Sequence, residues 1–241
     1  MLDLKPLWNF DDPAASRARF EGLYSELLEA EARAVVLTQI ARTHGLEGQF
    51  EVGHELLDSI EPLDDGLNAW VEIERGRLLR SAGDSPAARG HFEAGARAAE
   101  NSGQIGLQFD ALHMMALTLP AAEQVSFTQQ VIAAARASQS VDAQNWVASL
   151  LNNLGMAQSE LGDWAAARAS FEEALAERVR LGDASRIYPA RYMVGWTMRN
   201  QGERQAALAW MTDLQRDLLA AGRSDEFVAA ELALLSTGLD K

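Results

Sequence analysis

Residues 150–183 read LLNNLGMAQSELGDWAAARASFEEALAERVRLGD. Leu150, Leu151, Leu154, Ala157 and Leu161 recur at helical spacing on one face. Gly162-Asp163 interrupts the pattern, and it resumes after Ala165 with Ala167, Phe171, Ala174 and Leu175. The stretch predicts two helices folded back on one another, the first opened by Ser149, Asn152 and Asn153. Gly155 and Ala167 lack bulk where the two backbones must approach, and Phe171 fills the space beyond them.

Working outward, the same punctuation returns. Gly76, Ala116, Gly155 and Gly195 stand 40, 39 and 40 residues apart. A fixed period of this size marks stacked helix pairs rather than one closed core. Gly83-Asp84 and Gly202-Glu203 take the place of Gly162-Asp163, with Ala88/Phe92 and Ala207/Met211 in the places of Ala167/Phe171. The third unit departs: its turn is Leu119-Pro120, and its second helix, about Ala122 to Ala137, has no phenylalanine anchor. The chain thus divides into an arm and capping helix (1–30), five pairs (31–60, 67–102, 106–138, 141–182 and 185–221) and a last capping helix (223–241), all in one domain.

In detail, residues 1–12 form an arm with Trp8 and Phe10 docked on the first helices, and Asp12-Pro13 starts a helix to about Leu28. Glu31–Thr43 and Gln49–Ile60 make the first pair about a turn at Gly45–Gly48, followed by a loop from Pro62 to Gly66 in which Asp64-Asp65 is a turn element. The final helix, Asp225–Ser236, turns Phe227, Leu232 and Leu235 inward.

The pattern Leu154-Gly155, Gly162-Asp163, Ala167, Phe171 and Ala174 resembles the tetratricopeptide repeat (TPR) family. The resemblance spans about 30–222 and implies an all-α fold, a right-handed α-α superhelix, that is, a TPR-like solenoid of about five helix pairs with capping helices. The usual repeat is ~34 residues; here each is longer by roughly a turn and a half of helix, placed mainly in the second helix, where Glu172–Leu181 has no breaker. Extended repeats of this kind resemble those of peptide-sensing bacterial regulators and motor-protein light chains.

Composition narrows function. A net charge of −14 opposes a general nucleic-acid binder or an anionic membrane surface. Lys5 and Lys241 are the only lysines, so no P-loop or Schiff-base lysine lies inside the fold. With no cysteine there is no thiolate chemistry or disulfide. MLDLKPLWNFDD lacks the apolar run of a signal peptide, and the expected setting is cytoplasmic. His54-Glu55-Leu-Leu-Asp58 begins like a zinc-protease helix, but aspartate replaces the second histidine. Glu172 and Glu173 diverge by roughly 100° on a helix and cannot flank one substrate. No nucleotide or hydrolase motif occurs. The expectation is a non-enzyme without cofactor or metal.

The resemblance implies that the first helix of each pair lines a concave groove. Its ligand-facing positions, counted from Gly155 and its equivalents, give Arg42, Trp70, Arg77, Arg80, His113, Asn152, Asn153, Tyr192, Trp196, Arg199 and Asn200 as binding residues. Across the full set of positions, Arg42, Arg77, Arg80 and Arg199 face Glu74, Asp110 and Glu160, a mildly basic groove in an acidic chain. Asparagine pairs with both backbone groups of an extended peptide, arginine grips carboxylates, and Tyr192 with Trp196 offers one rigid apolar face. Each also has a plainer account: capping for Asn152 and Asn153, packing for Trp70 and Trp196, pairing of Arg77 and Arg80 with Glu74 and Glu72.

The sequence therefore points to a protein- or peptide-binding scaffold whose partner is another protein or a short peptide, with no nucleic acid or membrane, and with terminal helices that leave room for a homodimer. The alternative is a peptide-sensing regulatory protein; an enzyme on the concave face ranks below it. The expected ligand carries an acidic group near one end and an apolar residue near the other. Charge reversal of Arg77 and Arg80 is expected to remove binding and leave melting nearly unchanged, whereas reversal of Arg168 and Arg178, on the outer face, is expected to leave binding intact.

Overall fold

The computed structural model describes residues 3–61 and 64–237. The described residues form helices joined by turns and short loops, with no strand among them. After a short 3-10 turn at Lys5–Leu7, the helices are α1 (Pro13–Glu26), α2 (Ala30–Leu46), α3 (Phe50–Asp58), α4 (Asp65–Ser81), α5 (Ser85–Asn101), α6 (Ile105–Ala116), α7 (Ala121–Ala137), α8 (Val141–Gln144), α9 (Val147–Glu160), α10 (Trp164–Leu181), α11 (Ala184–Asn200), α12 (Arg204–Ala220) and α13 (Glu226–Ser236). The chain falls into two compact units, Met1–Leu119 and Pro120–Lys241.

In the first unit α1 packs on α2, α2 on α3 and α4, and α4 on α5 and α6. Asp12 caps α1 by accepting from the Ala15 amide at 2.9 Å, with Pro13 as first helical residue. Trp8 docks on the fully buried Phe20, as the arm predicts, and Ser16 pins the arm by accepting from the Asn9 amide and donating to its carbonyl. The turn between α2 and α3 is later than expected. Gly45 lies inside α2, and Gly48, at φ 77°, makes the reversal. A Cβ on Gly45 would come within 2.4 Å of Leu78, so this glycine serves packing against the next pair. The loop assigned to 62–66 is also corrected. Pro62 and Leu63 lie outside the described residues, Asp64 caps α4 by accepting from the Leu67 amide, and Asp65 and Gly66 are helical.

The Gly–aromatic contact is observed where the sequence places it. A Cβ on Gly76 would meet the Phe92 ring at 2.6 Å, and one on Gly155 the Phe171 ring at 2.7 Å. Burying each phenylalanine contributes about 1.5–3 kcal/mol. The third pair departs for a visible reason. Whereas α4, α9 and α11 run on past Gly76, Gly155 and Gly195, α6 stops at Ala116. Pro120 disfavours helix at Leu119, and Arg89 of α5 donates to the Thr118 carbonyl at 2.7 Å, satisfying the open end.

In the second unit α7 packs on α9, α9 on α10, α10 on α11, α11 on α12 and α12 on α13. Here α9 begins at Val147, so Asn152 and Asn153 lie within it and do not cap it. In the second and fifth pairs the extra length is shared, since α4, α5, α11 and α12 each span 17 residues, whereas in the fourth pair the second helix is the longer, α10 spanning 18 residues against 14 for α9. Val228, Glu231 and Leu235 are the buried residues of α13, while Phe227 faces outward. Arg178 is no outer-face residue: it is buried and donates to Ser149 and Asp183.

Candidate functional site

Amphipathic stacking turns one face of each first helix away from its own partner. In the first unit this face belongs to α2, α4 and α6. Arg77 lies at its centre. Its Nη2 donates to both carboxylate oxygens of Asp110 on α6, at 2.6 and 2.7 Å, and its Nη1 to Glu74 one turn back, at 2.5 Å. Glu74 is fully buried and also accepts from Gln39 of α2 at 3.4 Å. Arg42 approaches Glu74 at 3.8 Å and lies over the rings of Trp8 and Phe10, themselves stacked 4.8 Å apart. The row reads arginine, glutamate, arginine, aspartate across three helices. Burial pulls the Arg77 pKa down, but Asp110 and Glu74 outweigh it and hold the group above its ordinary value. Arg42, desolvated with Arg77 nearby, is lowered.

This changes what the predicted arginines offer. The terminal nitrogens of Arg77 are already taken, Nη2 by Asp110 and Nη1 by Glu74. Arg80, half-buried one turn on, makes no ion pair among the described residues. Trp70 packs on the cluster of Ala69, Ile73 and Ala96, and His113 is half-buried on α6.

The second unit carries a different surface. Trp196 of α11 meets Trp164, the first residue of α10, edge-on with ring centres 5.1 Å apart. Tyr192, one turn before Trp196, meets Phe227 of α13 at 6.3 Å. Phe227 is 63% exposed and Leu161, in the turn before Trp164, 53%. Arg199 donates to the buried carboxylate of Glu231 on α13, and Asn200 donates to the Trp196 carbonyl at 2.8 Å. Burial, with Glu231 and Asp225 adding to it and Arg199 opposing, raises the Tyr192 pKa. On α9, Asn152 is half-buried, and Asn153 is buried with its Nδ2 unpartnered. The predicted residues therefore form two separate groups: Arg42 and Arg77 in one unit, Tyr192, Trp196, Arg199 and Asn200 in the other.

Sequence reasoning missed Gln39 as a buried partner of Glu74, and missed Trp164 and Phe227 as members of the aromatic face. The position of Trp164, just after Gly162-Asp163, was the available signal for it. No group of three or more histidine, cysteine or acidic side chains able to hold a metal occurs among the described residues. Nor is any described helix long and apolar enough to cross a membrane.

Residues 147–181, covering α9 and α10, match the sequence model described as tetratricopeptide repeat. No curated protein matches the chain by sequence. Among solved structures, the chain is similar to BtubC (BKLC) from P. vanneervenii, at 18% identity and a TM-score of 0.66, over 93% of this chain and 94% of that one. It is also similar to a signal transduction ATPase with numerous domains carrying a tetratricopeptide repeat sensor, from Pyrococcus horikoshii, at 13% identity and a TM-score of 0.71, over 94% of this chain and 38% of that one. A third is a Rap protein complexed with Competence and Sporulation Factor, at 12% identity and a TM-score of 0.62, over 90% and 59%. At these identities the likeness is one of fold: an all-α, TPR-like superhelix.

Proposed function

We propose that this chain, a protein of tetratricopeptide-type repeats, is a non-catalytic scaffold that binds another protein or a peptide on the open faces of its first helices. One observation carries the reading: Tyr192 and Trp196, one turn apart on α11, pack on Phe227 and on Trp164, and Phe227 and Leu161 are more than half exposed. Aromatic anchors of this kind dominate binding energy at protein interfaces. The ionisable groups that might have served chemistry are tied to one another, Glu74 and Asp110 by Arg77 and Glu231 by Arg199, which supports a binding role over a catalytic one. A cytoplasmic setting is part of the proposal.

A second reading is the sensory part of a peptide-responsive regulator. It is favoured by the likeness to a Rap protein complexed with Competence and Sporulation Factor and to a tetratricopeptide repeat sensor. Affinity purification from the native cell, followed by mass spectrometry, tests both. Stable protein partners are expected for a scaffold and a co-purified short peptide for a sensor. Trp196→Ala should reduce recovery and Arg168→Glu should not; the reverse pattern would place binding on the opposite face and sink the proposal.

A further inference from the structure

We infer that the aromatic face of the second unit takes a peptide segment with a large apolar side chain flanked by basic residues. The inference rests on the binding reading above and goes further by naming the chemistry of the partner.

The apolar part follows from geometry. Tyr192 and Trp196 sit one turn apart on α11, each backed by a second ring, Phe227 for the first and Trp164 for the second. Rings held by rings lose little rotamer freedom on binding, and they present a rigid apolar surface. Phe227 stays exposed, as does Leu161, three residues before Trp164 in sequence, which leaves apolar area in water unless a partner covers it.

The basic part follows from the charges around that surface. Arg199, the arginine on this stretch of α11, already donates to Glu231. Arg204 donates to the carbonyls of Leu234 and Leu235, closing the C-terminal end of α13. Arg191 pairs with Asp217, and Arg223 lies over Tyr188. On the acidic side, Asp225 caps α13 beside Phe227, and both Asp225 and Glu231 act on the Tyr192 hydroxyl. Glu226, next to Phe227, and Glu160, next to Leu161, are exposed and make no ion pair among the described residues. Arg191 and Arg199 are thus matched by carboxylates and Arg204 is held by main-chain carbonyls, which leaves Arg223 as the exposed cation here against the unpaired Glu160 and Glu226, in a chain of net charge −14. Lysine or arginine flanking an apolar anchor would meet Glu160 and Glu226 at the rim, where such pairs set specificity and on-rate. An acidic ligand, the kind the sequence-level groove implies, would meet like charge and be rejected.

The test is selection of a random-peptide display library on the full chain, with the selected peptides then titrated by fluorescence anisotropy. Enrichment of peptides that place lysine or arginine around an aromatic or large aliphatic residue is expected. Phe227→Ser, an exposed position, and Trp196→Ala should each weaken the selected peptides about thirtyfold, and melting curves confirm that the variants are folded. Glu160→Lys combined with Glu226→Lys should weaken the basic peptides and strengthen their glutamate-flanked counterparts. Enrichment of acidic peptides, or of peptides insensitive to the Glu160/Glu226 reversal, overturns this inference and leaves the scaffold reading standing. No enrichment at all overturns both.

Discussion

Gly155 stands where one added carbon would enter the Phe171 ring. Gly155→Leu should overpack that contact and cost about 1–3 kcal/mol. Gly48, with φ 77° and nothing within 4 Å of a built Cβ, should cost about 1–2 kcal/mol on the same change through backbone strain alone. Urea unfolding separates the two causes. Gly155→Ala should couple to Phe171→Leu in a double-mutant cycle, and Gly48→Ala should not; absence of coupling at Gly155 would refute close approach. Arg77 reverses an expectation drawn from sequence. Arg77→Glu breaks a buried pair on both sides and should lower stability by roughly 3–5 kcal/mol, whereas Arg80→Glu, which breaks no ion pair, should stay within about 0.5 kcal/mol. Thermal melts that rank the two variants equal would contradict this. The pairing of Arg77 with Glu74, three residues back on α4, could be read from spacing. The pairing of Arg77 with Asp110 could not, because the two are 33 positions apart and only the packing of α4 on α6 brings them together.

At the scale of elements, α13 covers the end of the second unit. Val228 and Leu235 join Val194, Met211, Leu214 and Leu218 in one buried cluster. Ending the chain after Arg223 should expose that cluster, lower the melting temperature and increase binding of a hydrophobic dye; an equally stable monomer would show that α13 is not a cap. Asp225→Ala removes the acceptor for the Phe227 and Val228 amides and should cost about 0.5–2 kcal/mol. Most helices were legible because their apolar residues keep a helical period and their turns carry glycine followed by a capping acid, as at Gly83-Asp84 and Gly162-Asp163. Misreadings arose where a distant group decides the outcome. Gly45 reads as a turn residue in sequence, but Leu78 of α4 packs against it inside α2. The early end of α6 depends on Arg89, which no local pattern ties to Thr118. Phe227 reads as a core residue by its size, yet Val228 takes the inward place.

On the scale of the molecule, the two compact units each hold their own buried clusters. Residues 1–119 and 120–241 produced separately should each be helical by circular dichroism and unfold cooperatively, since repeat stability comes from each pair and its neighbours. A fragment without helical signal would show that its internal contacts are insufficient. The charged row across α2, α4 and α6 also bears on how an array like this can change length. Arg42 addresses Glu74, which stands two residues before Gly76; Arg77 addresses Asp110, which stands six before Ala116. Successive helices therefore answer one another in different rows. Were the α4–α5 hairpin copied in tandem, Arg77 of the first copy would face Trp70 of the second, the residue six before Gly76. Arg77 would keep Glu74 on its own helix but lose Asp110, and a buried guanidinium stripped of one of two carboxylates is destabilised. Duplication at this junction is therefore opposed unless a new acid appears with it, so charge as well as shape bears on the number of hairpins.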